Sequence, residues 1–130
     1  MASNPTNNYQ TKYKLFRRGG IYRAEMPVSL GRPKVRPVII LSEDNEYYHS
    51  VLACGSSKSY VPLNSNDLFI TDGRFTPTIH HRKGAQYNFN AHFLGEIYKE
   101  LIQQKLGQLH KECLDELVTR IVMNIGFKPQ

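Results

Sequence analysis

A chain of 130 residues, 40% hydrophobic and 22% charged, can bury one core and has the composition of a folded domain, which excludes disordered, fibrous and collagen-like classes. The 17 Lys plus Arg against 11 Asp plus Glu leave a formal charge of +6, which suits an anionic partner: nucleic acid, a membrane surface or an acidic protein. Cys54 and Cys113 lie far apart with neither CxxC nor Cys/His ligand spacing, so neither a zinc site nor a disulfide framework is expected and both read as small buried hydrophobes.

Residues 1–12, rich in Asn, Thr, Ser and Gln around Pro5, read as a flexible lead-in to a single domain over 13–130. No apolar signal core begins the chain and no run approaches the roughly 20 apolar residues of a membrane span, so a cytoplasmic protein with no membrane partner is expected. The basic group Lys14, Arg17 and Arg18 precedes the turn signal Gly19-Gly20, and IYRAEM then alternates as a first strand over 21–26. Pro27, Gly31 and Pro33 punctuate the next connection. The run from Arg36 to Ser42 predicts a second strand, buried through Val38, Ile39, Ile40 and Leu41, with Arg36 and Pro37 at an exposed strand start where no ladder donor is lost.

After the acidic turn SEDNE, YYHSVLAC predicts a third strand that gives way to a flexible turn, Gly55-Ser56-Ser57-Lys58. A short strand over 60–63 follows. Residues 64–85 mix turn pairs with apolar patches at 68–71 and Ile79 and read as a long hairpin or lid. QYNFNAHFLGEI, with a break at Gly95, and KELIQQKLGQL predict two more strands. From His110 to Ile125 a helical stripe runs through Leu114, Leu117, Val118, Ile121, Val122 and Ile125, closed by Gly126. The fold class is therefore mainly β with α: a small antiparallel barrel or strongly curved sheet whose C-terminal amphipathic helix plugs one opening.

GGIYRAEM, then RPVIILS, then a strand ending ACGSSK, and finally IYKELIQQKLGQLHKECLDELVTRIVMNIG resemble, in this order, the MazF/PemK family of toxin endoribonucleases. The resemblance covers about two-thirds of the chain. It implies an SH3-like barrel that forms a homodimer, cuts single-stranded RNA without metal or cofactor to leave a cyclic phosphate, and is neutralised by a short acidic antitoxin protein. It also implies two catalytic positions, Arg36 of the RP pair and Ser56 in place of the family's threonine. Cys54 and Gly55 stand where the family carries proline and a hydrophobic residue, and the 64–85 segment is longer than usual.

Physical chemistry supports that pairing independently. Attack of a 2'-hydroxyl on its neighbouring phosphate adds negative charge to the phosphorus oxygens, and a guanidinium, always charged, can donate two parallel hydrogen bonds to them. A hydroxyl at Ser56 adds a third donor. Arg32, Lys34 and Lys58 at one barrel edge, with Arg74, Arg82 and Lys83 on the long connection, suggest a phosphate track, and Tyr22, Tyr60 and Phe75 suit base stacking. His80 or His81 suits general acid or base work, only one of two strand neighbours facing the site. Each residue also has a plain reading: a lone cation as a solvated face, an aromatic as core, a histidine as a solvated loop. Two alternatives to the nuclease stay open on the same barrel: a catalytically silent module binding nucleic acid or protein, and a gyrase-type toxin acting on a protein target.

Overall fold

The computed structural model describes residues 15–26, 34–57, 67–71, 73–81 and 86–126. The lead-in over 1–12 and the strand expected over 60–63 lie outside them. Seven strands form one antiparallel sheet: β1 (Gly20–Met26), β2 (Lys34–Ile40), β3 (Ser50–Ser57), β4 (Leu68–Ile70), β5 (Phe75–Pro77), β6 (Tyr87–Tyr98) and β7 (Ile102–Leu109). A 3₁₀ turn, Lys99–Leu101, joins the last two, and helix α1 (Lys111–Asn124) follows.

The strand order β4-β6-β3-β2-β1-β7-β5 places β4 and β5 at opposite edges. Only residues 71–74 connect them. Six strand spacings of roughly 4.8 Å would hold those edges about 29 Å apart in a flat sheet, whereas a link of four residues, crossed in five Cα steps of roughly 3.6 Å, reaches about 18 Å. The sheet must therefore curl, and the rings of Phe75 on β5 and Tyr87 on β6 meet across the closure at 5.8 Å. The expected hairpin over 64–85 is corrected here. Its two apolar patches do not pair with each other: β4 pairs with β6 and β5 with β7, while Ile79 is 93% exposed.

The apolar run in β2 has its explanation in burial on both faces. Ile39 joins Ile21, Cys54, Phe89 and the α1 residues Leu114, Leu117 and Ile121 in one cluster. Val38 and Ile40 join Tyr22, Ala24, Met26, Val51 and Ala53 in the other. The α1 stripe packs as its spacing implied except for Ile125, which is 70% exposed because the helix ends there and Gly126 turns the chain at φ +87°. Both cysteines are buried and free. Among the described residues no helix is long and apolar enough to cross a membrane.

Three strand boundaries differ from expectation. β2 starts at Lys34, so Arg36 and Pro37 sit inside it. β3 runs on through Gly55, Ser56 and Ser57 rather than turning there. β6 is continuous through Gly95, which faces Ala53. Its irregularity lies earlier, where the partners of Cys54 and Ser56 are Leu94 and Phe89, so that β6 gains residues against β3.

Candidate active site where β2 and β3 part

The ladder between β2 and β3 pairs Ile40, Ile39 and Val38 with Ala53, Cys54 and Gly55 and goes no further. Pro37 has no N–H to continue it. Side chains take over instead. The Ser56 hydroxyl donates to the Pro37 carbonyl at 2.7 Å, and Arg36 Nη1 donates to the Ser56 carbonyl at 3.2 Å. Arg36 and Ser56, which the sequence paired, are thus in direct contact. Across β1, Arg36 faces Ala24, a residue small enough to leave the guanidinium room.

One edge of that guanidinium is unspent. Nη1 holds Ser56, while Nε is buried and has no hydrogen-bond partner among the described residues. Nε and Nη2 form the fork that matches a phosphate bidentately. Ser56 is different: it is 2% exposed, and its hydroxyl proton is already given to Pro37. Gly55 makes this close packing feasible, since a Cβ there would lie 2.6 Å from Phe93 and 2.8 Å from the Met26 sulfur.

Two polar residues that sequence reasoning passed over adjoin the pair. Asn88 of β6 stands opposite Ser57, and its Nδ2 donates to the Ser57 hydroxyl at 3.3 Å. Asn88 is fully buried, with Oδ1 unpartnered among the described residues. In QYNFNAHFLGEI, Asn88 and Asn90 alternate with the apolar Tyr87, Phe89 and Ala91, a spacing that sets them on the opposite face of the strand. The structure buries Asn88 and half-buries Asn90. Asn90 donates to the buried Asp67 carboxylate at 2.9 Å.

Cys54, at the neighbouring position, is no nucleophile: burial first, and the nearby Asp67 second, push its thiol up to about 12, and its Sγ lies 3.1 Å from the Asn90 carbonyl.

The remaining candidates divide. Lys34 is exposed at the start of β2, two residues before Arg36 and on the same face by strand alternation. Arg32, Lys58, Arg82, Lys83 and Tyr60 lie outside the described residues. Tyr22 is 6% exposed and meets Phe16 edge-on at 5.1 Å, so base stacking on it is corrected to a core contact. Phe75 is buried likewise. Arg74 is held by Glu116 of α1 at 2.6 Å, which binds that guanidinium to the helix. His80 is exposed on the turn after β5, and His81 bonds the Tyr87 hydroxyl at 2.7 Å and packs on Phe75. They sit in a turn, not a strand, and follow β5, three positions from β2 in the sheet. A groove lined by Ser42, Tyr47, Tyr48, Leu52 and Glu96 occupies the other end of β3, roughly 20 Å from Ser57 at strand rise.

A small curled barrel of antiparallel strands with one C-terminal helix, carrying an arginine at a strand junction, defines the class of fold. No family model and no curated protein matches the chain by sequence. Solved structures do match by shape. An endoribonuclease from a mycobacterial species superposes with a TM-score of 0.65 at 14% identity, covering 91% of this chain and 98% of its own. The Mycobacterium tuberculosis toxin MazF-mt6 gives 0.64 at 14% identity, over 85% and 99%. MazF in a MazE-MazF structure from Deinococcus radiodurans gives 0.60 at 14% identity, over 88% and 99%. The chain has the fold of these MazF proteins over nearly their whole length.

Proposed function

We propose that this protein is the toxin of a toxin and antitoxin pair, an endoribonuclease that cuts single-stranded RNA by attack of the RNA's own 2'-hydroxyl, a route that needs no metal. The observation that carries the reading is Arg36: anchored through Nη1 to the Ser56 carbonyl, it keeps its Nε and Nη2 edge for an anion. In the reaction the 2'-oxygen bonds to phosphorus while the bond to the 5'-oxygen breaks. The 2'-hydroxyl proton leaves, the departing 5'-oxygen gains one, and a cyclic phosphate remains. Arg36 lies where it neutralises charge that grows on the phosphorus oxygens, the contribution that accelerates the step rather than only binding substrate. Ser56 locks the backbone on which Arg36 is mounted. Lys34, exposed two residues before Arg36 on the same face of β2, adds a second cation for the strand of RNA.

Support for the toxin reading comes from the shared fold, since the similar structures include an endoribonuclease in complex with its cognate antitoxin. A formal charge of +6 suits a short acidic antitoxin and RNA alike, and we propose a homodimer as the working form. One observation favours the silent RNA-binding module instead: the Ser56 hydroxyl is committed to Pro37. The test is incubation of a long single-stranded transcript of mixed sequence with the protein in the presence of a metal chelator. Cleavage ending in cyclic phosphate, abolished in a folded Arg36→Ala variant, is expected. Intact RNA, or unchanged cleavage by that variant, overturns the reading.

A further inference from the structure

If the Ser56 hydroxyl is spent, the site needs another, and the neighbouring residue supplies it. We propose that Ser57, positioned by Asn88, is the hydroxyl that donates to the scissile phosphate; this rests on the nuclease reading. The β2–β3 ladder ends at Val38 and Gly55; counted on by two residues along each strand, Arg36 and Ser57 are the positions that would face each other. Strand alternation puts both on one sheet face, while the Ser56 side chain belongs to the other. Asn88 is paired with Ser57 on the next strand, and Arg36 is joined to the same stretch of β3 through the Ser56 carbonyl, so the row proposed is Arg36, Ser57 and Asn88.

The chemistry of the row has a direction. Asn88 Nδ2 donates to the Ser57 oxygen at 3.3 Å, so that oxygen already accepts and its proton is left to give. Ser57 is half-buried where Ser56 is sealed, and a half-buried hydroxyl can be reached by a nucleotide. The same row contains two buried polar atoms with no partner among the described residues, Arg36 Nε and Asn88 Oδ1. A buried amide between Tyr87 and Phe89 with half of its bonding capacity unmet is costly to keep for packing alone. Holding Ser57 is a reason to keep it, and the unmet Arg36 donor marks the side from which the phosphate comes. Ser57 would touch substrate; Asn88 is a positioning residue that acts through it.

The test compares Ser57→Ala, Ser57→Thr, Asn88→Ala and the Ser57→Ala/Asn88→Ala double variant on an oligoribonucleotide carrying a cleavage site mapped in the transcript. Binding is measured on the same oligonucleotide with a single 2'-deoxy substitution there. Ser57→Ala is expected to lower kcat by about 100- to 1,000-fold, the range for one lost donor to a developing oxyanion, with KM and affinity for the deoxy strand nearly unchanged. Ser57→Thr keeps the hydroxyl and restores most of kcat. Asn88→Ala lowers kcat in the wild-type background and adds nothing further in the Ser57→Ala background, a coupling that a purely structural role would not produce. Ser56→Ala, in contrast, lowers the melting temperature, which Ser57→Ala leaves in place. If Arg36→Ala abolishes cleavage and Ser57→Ala keeps kcat within about threefold, Ser57 is overturned while the nuclease stands. If the wild-type protein cuts no RNA, the nuclease reading falls and this proposal with it.

Discussion

Two cations inside this barrel are handled in opposite ways. Lys99, in the 3₁₀ turn after β6, has a side chain 1% exposed and lies 2.8 Å from Asp44, itself 2% exposed. Its Nζ also donates to the Asn45 carbonyl at 3.0 Å, and Asp44 accepts the Phe16 N–H at 3.0 Å. Charge meets charge and the remaining hydrogen bonds tie three chain segments together. Arg36 has no carboxylate partner among the described residues, one bond to a carbonyl and a buried Nε left over. A closed ion pair holds segments in place. An open cation, fixed on a strand opposite the buried Ala24, suits the proposed role, because preorganised charge without an internal partner is available to an anion.

The largest effect should come from opening the closed pair. Lys99→Met leaves the Asp44 carboxylate buried without its cation and is expected to cost about 3–5 kcal/mol in urea unfolding. A loss below about 0.5 kcal/mol would mean that Asp44 finds water or another partner, and the contrast would fail. Arg36→Ala should show the reverse profile. Cleavage falls by about 100- to 1,000-fold, equivalent to roughly 2.7–4 kcal/mol of barrier, while the unfolding free energy moves by about 0.5 kcal/mol or less, as for a partly exposed side chain outside the core. Equal losses of stability and activity would show that Arg36 is structural after all.

A smaller effect tests the mount of the open cation. Gly55→Ala drives a methyl against Phe93 and the Met26 sulfur and should destabilise by about 1–3 kcal/mol, the usual cost of overpacking. Because Ser56 follows directly, cleavage should fall with it. Full activity in a destabilised Gly55→Ala protein would separate the packing from the site.

The smallest effect concerns a surface pair. Its hydrogen bond to Arg74, with Arg120 adding to it, holds the Glu116 carboxyl below its ordinary value of 4.5. A lowered carboxylate contributes stability that is complete above that ordinary value and is lost as pH falls through the folded one. Both Arg74 and Glu116 side chains are more than a third exposed, at 41% and 37%, so the contribution should stay under about 1 kcal/mol and shrink with salt. Urea midpoints measured on either side of pH 4.5 for wild type and Glu116→Gln should converge in acid. Parallel curves would show that the pair contributes nothing.

Local pattern made several parts of this molecule legible in advance. The alternation of IYRAEM became β1, the β-branched run after Arg36-Pro37 became the centre of β2, and the stripe from Leu114 to Ile121 became the buried face of α1. Those elements depend on neighbours a few residues apart, within reach of periodicity and turn chemistry. The pairing of Arg36 with Ser56 came instead from the family resemblance, which implies both positions.

What the sequence by itself determined is therefore a basic, mainly β chain with an amphipathic helix after its strands and an arginine poised beside a buried strand. Contacts between residues remote in the chain decided the rest. Only strand order sends Leu68–Ile70 and Phe75–Pro77 to opposite edges, because which strands pair is settled by closing the sheet, not by their own composition. Only register brings Asn88 against Ser57 and turns the Ser56 hydroxyl to Pro37, since one residue of slip exchanges the two faces of every strand. Burial on both faces, which took Tyr22 out of the RNA surface and hid Asn88, needs more than the curl: rolling gives the sheet one inside, and the other face is covered by residues from remote segments such as Phe16, which no run of seven or twelve residues reveals.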